Sequence, residues 1–178
     1  MSAPSLLDGL ADAARLTPLP RPVDWAHAEQ HLGLAVPDDY RRLVDAGGAG
    51  LWFDDLRLYA PGIAGHDLLE AAGVFEDLLL LWTLDPEHRP ADLPDDAHLV
   101  AWADTGSGAT LFWRIDAGDS SGPYPIYVED GDGARWERFD VSATELLLGV
   151  LRGTVGGELI PTSFMDTDQV FRPYDAGR

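Results

Sequence analysis

The chain predicts an α+β fold: a mainly antiparallel, twisted sheet packed by N-terminal helices, a middle helix and a C-terminal helix. Three observations carry that expectation. Residues 98–116, HLVAWADTGSGATLFWRID, hold two apolar runs around a small-residue turn, the pattern of a β-hairpin at the centre of a core. Residues 67–82 repeat apolar side chains at helical spacing behind a capping signal. Residues 124–139 add two further strand-like runs around Asp130-Gly131-Asp132-Gly133. A length of 178 residues with 46% hydrophobic content suits one core, so a single domain over 1–178 is expected.

The elements follow in order. Leu6, Leu7, Leu10 and Ala14 share helical spacing within 3–15, and Pro18, Pro20 and Pro22 then stiffen a connector. Asp24 offers an N-cap for a second helix to about Leu32, with Gly33 past its end. On that helix His27 and His31 stand four apart, a spacing that can grip a metal. The zinc-protease pattern, however, places its glutamate directly after the first histidine, and Glu29 comes one place late, so no metal site is expected. Pro37, the acids Asp38 and Asp39, and the stripe Tyr40, Leu43 and Val44 predict a short helix over 37–46, ended by Gly47 and Gly48.

LWFDDLRLYAPG reads as a strand or strand pair near 51–59, with Leu56 and Leu58 on one face and Arg57 on the other. The helix over 67–82 takes Asp67 as its cap, with Glu70 three residues on. Its apolar set, Leu68, Leu69, Ala72, Phe75, Leu78, Leu79 and Trp82, is available for burial. Pro86, Pro90 and Pro94 make the next stretch a surface loop. After the hairpin and the two further strands, Ser142 and Glu145 form a capping box for a helix that ends at Gly153. The remainder, 154–178, is expected to pack as an irregular extension that frays near its end.

Composition removes several function classes. There is no cysteine, hence no disulfide, thiol nucleophile or cysteine-ligated zinc. All 12 basic residues are arginine, so a phosphate-loop lysine and a Schiff-base amine are absent too. The longest run of large apolar residues is Leu78 to Trp82, far short of the roughly 20 that span a membrane. The N-terminus carries Asp8 and Asp12 where an export signal is apolar, so a cytoplasmic location is expected. The formal charge is −19, and from Asp67 through Asp104 there are 10 acids against Arg89 alone. A surface of this sign repels phosphate, which argues against nucleic acid and anionic membranes and favours a basic protein partner.

Asp104-Thr105-Gly106-Ser107 spells the signature of an aspartic protease. That chemistry needs two carboxylates sharing a proton, and neither a second Asp-Thr-Gly nor a flap is present, so Asp104 reads as a turn residue. Asp130-Gly131-Asp132-Gly133 could open a calcium loop, but the later ligands and the closing glutamate are missing, so it reads as a tight turn. No catalytic residue, cofactor or metal ligand is assigned.

The succession of Trp25 on a helix, Leu32-Gly33, Val36-Pro37-Asp38-Asp39-Tyr40 and Gly47-Gly48 resembles the N-terminal signature of the SUKH superfamily. That group contains fungal cell-wall-assembly regulators and bacterial immunity proteins. The later strands and helix, 99–116, 124–139 and 142–152, are similar in order. The resemblance covers a core of about 23–153, leaving 1–22 as a helix and Pro-rich connector and 154–178 as an extension. It implies a non-catalytic domain that neutralises a cognate toxin, often a nuclease. A regulatory or scaffold domain of the same fold is the alternative, and a single-motif hydrolase comes third. Contact candidates are the aspartates expected in loops and exposed turns: Asp54, Asp55, Asp95, Asp96, Asp119, Asp130 and Asp132.

Overall fold

In the computed structural model, which describes residues 5–119, 121–160 and 169–174, most helices begin where a side chain satisfies their first N–H groups. Ser5 and Asp8 form a reciprocal capping box on α1 (Leu6–Ala14). Asp24 accepts from the His27 N–H at the start of α2 (Trp25–Leu32), which Gly33 closes in the left-handed region. α3 (Asp38–Leu43) follows Pro37 and opens into a π turn over Val44–Gly48. At Gly47 a Cβ would lie 2.0 Å from the Thr17 carbonyl oxygen, so the connector can cross there only over a glycine.

The middle helix departs from its expected bounds. α4 spans Val74–Leu84, after a 3₁₀ turn at Glu70–Gly73. Residues 66–68 cannot join it because Ala60 has claimed their backbone: its N–H donates to the His66 carbonyl at 3.0 Å, and its carbonyl accepts from the Leu68 N–H at 3.3 Å. Asp67 does cap, but it caps a turn, accepting from the Leu69 N–H at 2.9 Å. Leu79, expected to be available for burial, is exposed. α5 (Ala143–Arg152) carries the expected Ser142–Glu145 capping box and ends at Gly153.

Seven strands complete the fold: β1 (Gly50–Trp52), β2 (Leu56–Leu58), β3 (His98–Thr105), β4 (Thr110–Ile115), β5 (Ile126–Glu129), β6 (Trp136–Phe139) and β7 (Phe171–Pro173). They form one sheet in the order β6-β5-β4-β3-β2-β1-β7, every neighbouring pair antiparallel. β7 corrects the expectation of a wholly irregular tail, since residues 171–173 extend the sheet beside β1. The expected fraying end, 175–178, lies outside the described residues, as does 161–168.

Helices cover both faces of the sheet. On one, Leu10, Trp25, Tyr40, Leu43 and Leu147 from α1, α2, α3 and α5 meet Val100, Trp102, Leu111, Trp113, Ile126 and Val128. On the other, Phe75, Leu78 and Trp82 of α4 meet Leu99, Ala101, Phe112 and Tyr127. Burial on both sides is why β5 is buried at every position and shows little inward and outward alternation. The β3–β4 hairpin is the centre of this arrangement: Trp102, fully buried, stacks on Trp113 at 5.6 Å, and Tyr40 stands edge-on to both rings. The Tyr40 hydroxyl donates to the Tyr59 carbonyl at 2.6 Å, so its burial leaves no donor unpaired.

Candidate interaction surface

Asp104, the carboxylate of the protease-like motif, belongs to β3 rather than to the turn after it. Its orientation is set by a bulge. Ala101 pairs with Phe112 and Ala103 with Leu111, so Trp102 is an extra residue on its strand. Trp102 and Ala103 consequently both point into the larger core, and Asp104 is turned to the α4 side of the sheet. There Arg57 Nε donates to one carboxylate oxygen and the Tyr59 hydroxyl donates to the other at 2.6 Å. Burial, reinforced by the hydrogen bond to Asp104, pushes the Tyr59 phenol well above its usual range. The next carboxylate in this cross-strand row is Glu129, reached through Thr110. Two strand spacings separate them, roughly 10 Å, too far to share a proton.

The seven aspartates offered as contacts divide between opposite ends of the sheet. At one end three turns lie side by side: Gly106 N–H donates to the Asp55 carboxylate at 3.0 Å, and Gly131 packs against the Gly108 carbonyl. Asp54, Asp55, Asp130 and Asp132 belong to this end. At the other end Asp96 and Asp119 line one cleft of about 330 Å³ with Asp116 and His98, and Asp95 adjoins Asp96 in the chain. The turns and loops were expected; their pairing into two ends follows from the antiparallel order alone.

Not all seven are presented to solvent. Asp130 departs from the expected exposure, because its side chain is 8% exposed and folded over its own turn, accepting from the Ala134 N–H and from Arg135 Nε, both at 3.1 Å. Burial raises its carboxyl, but these donors outweigh it and hold the group below the usual carboxylate range. Asp55 is half-buried over the hairpin turn, and Asp54 is exposed but bonded to Arg172 at 3.0 Å. Asp95, Asp96, Asp119 and Asp132 are exposed.

Many other acids serve the fold. Asp45 accepts from the Val23 N–H and from Trp25 Nε1, both at 3.0 Å. Asp39 accepts from the backbone N–H and the hydroxyl of Thr144, joining α3 to the start of α5. Asp116 takes both arms of Arg114 at 2.8 Å, which holds its carboxyl below the usual range. Within 67–104 Asp92 and Asp104 pair with arginines from outside the segment, Arg138 and Arg57, and the segment's own arginine is occupied internally. Arg89 donates to the Leu93 and Pro94 carbonyls at 3.2 and 2.9 Å, reaches Asp95 at 3.6 Å and lies over the Trp82 ring.

The surface that this segment shows to solvent is α4 and the loop after it. Glu76, Asp77, Leu80 and Leu84 are exposed on the helix, and Glu87, Asp95 and Asp96 on the loop. Beside them His98, itself exposed, packs edge-on against Phe75 at 4.5 Å, and partial burial of its ring lowers its pKa against the opposing pull of Glu76. The sequence signalled the acids of this surface but not its leucines, because a helical apolar pattern does not say which members remain outside.

His27 and His31 are exposed on α2, and no group of three or more His, Cys, Asp or Glu among the described residues is arranged to hold a metal ion. No described helix is long and apolar enough to cross a membrane. Comparison with protein families, curated proteins and solved structures finds no match to this chain, so the resemblance to SUKH proteins rests on the short motifs quoted above.

Proposed function

We propose that this chain is a non-catalytic binding domain of the immunity type, which neutralises a basic toxin domain, often a nuclease, by covering its substrate surface. The observation that carries this reading is that Glu76, Asp77, Glu87 and Asp96 are exposed and in no ion pair among the described residues, while Arg89, the one arginine of 67–104, donates within its own loop. A nuclease presents cations to phosphate, so an acidic surface competes for the same place and gains association rate from long-range attraction. The order of the SUKH-like motifs supports the same reading, as does the employment of Asp104 in a structural network.

The test is rescue. Cells expressing the protein encoded by the adjacent reading frame should survive when this chain is co-produced, and the purified pair should bind more weakly as salt rises. Absence of rescue and of binding would sink the immunity reading and leave a regulatory scaffold in its place. Binding that ignores salt would sink the electrostatic mechanism.

A further inference from the structure

We propose that the outer face of α4 is the anchoring centre of the contact, and that it receives an amphipathic, basic helix from the partner. This rests on the reading of the chain as a binder of basic proteins and adds where and with what chemistry the contact is made. α4 buries Phe75, Leu78 and Trp82 against the sheet. At about 100° per residue the opposite side collects Glu76, Asp77, Leu80 and Leu84. Leu80 is 63% exposed and Leu84 78%, and Leu79 at the margin is 43% exposed. Of the five large hydrophobic residues exposed among the described residues, three are thus on one helix of eleven.

Protein interfaces have an apolar centre and a polar rim, and this face has both. Its leucines are bordered by Glu76 and Asp77 one turn before Leu80, and by Asp85 and Glu87 just after Leu84. The rim decides the occupant. A second copy of this chain would set carboxylate against carboxylate, whereas leucine-sized side chains flanked by arginine or lysine satisfy centre and rim together.

The probe is a synthetic helix with leucines along one face and arginines elsewhere, set against a scrambled peptide of the same composition. Binding is measured by fluorescence anisotropy on the full chain, on L80S/L84S and on E76Q/D77N, with thermal unfolding as the check of the fold. L80S/L84S should keep its unfolding temperature and bind the helix about 30-fold or more weakly, mainly through faster dissociation. E76Q/D77N should slow association and reduce the salt dependence. Three results would overturn the proposal: unchanged affinity of L80S/L84S, equal binding of the scrambled peptide, or a wild-type dimer in sedimentation that L80S/L84S dissolves. The assay contains no toxin, so a failed rescue removes the immunity reading alone, while unchanged peptide binding removes the α4 contact alone.

Discussion

Arg57 and Asp104 face each other directly across β2 and β3, and the guanidinium donates to one oxygen of the carboxylate while Tyr59 donates to its other oxygen. Both oxygens of the Asp-Thr-Gly carboxylate are therefore engaged by structural donors. D104A strands the Tyr59 hydroxyl and should cost about 1–3 kcal/mol, toward the lower part because Arg57 reaches water. D104N keeps an acceptor and should recover part of the loss. Denaturant titration checks both, and a D104A midpoint equal to wild type would mean that the network contributes nothing.

Trp102 packs against both Trp113 and Tyr40 and is fully buried. W102A should lose about 3–5 kcal/mol by removing a large side chain from a packed core. Its indole N–H has no acceptor among the described residues, so W102F sacrifices volume and no hydrogen bond, and should lose less than half as much. Equal losses in the two variants would show that the indole edge matters.

Glu129 and Asp130 are adjacent and should respond to pH with opposite sign. Burial raises the Glu129 carboxyl, opposed by hydrogen bonds from the Gly133 and Gly131 N–H groups. A raised folded pKa contributes stability below the unfolded value and loses it as pH rises through the folded one. E129Q should therefore compare best with wild type at pH 7, the difference shifting toward wild type as pH falls through the raised folded pKa and complete below about 4.5. For Asp130 the folded pKa is depressed, its contribution is present above about 3.8 and lost in acid. D130N should be least stable relative to wild type at pH 7, with the gap closing in acid. Thermal melts across that range read both slopes, and parallel slopes would contradict them.

The β1–β7 edge depends on Gly50. A Cβ there would stand 2.3 Å from the Arg172 carbonyl oxygen and 2.6 Å from the Phe171 ring. G50A should force β7 off the sheet, because backbone cannot yield as a flexible side chain can. Hydrogen exchange should show lost protection in β1 and β7 with β3 and β4 unaffected. Retained protection at Phe171 would mean that the strand tolerates the shift.

The hairpin, the Ser142–Glu145 capping box and the glycine stops were legible because each is a local matter of backbone preference and hydrogen bonding within a few residues. The start of α4 was not, since Ala60, at the far side of the Pro61-Gly62 turn, captured the backbone of 66–68. Nor was β7, whose three residues have no period of their own and are strand only because β1 offers an edge.

For the site, the sequence by itself determined the sign of the surface, the absence of thiol and amine chemistry, and the positions of the acids along the chain. Tertiary structure decided what each acid does. One bulge at Trp102 sent Asp104 to the α4 side of the sheet and into the reach of Arg57 and Tyr59. Antiparallel pairing sorted the loop aspartates between two ends, and the packing of Phe75, Leu78 and Trp82 left Leu80 and Leu84 facing water. Charge is a property of composition, whereas a side chain's partner is set by contacts between residues far apart in the chain, which no local pattern records.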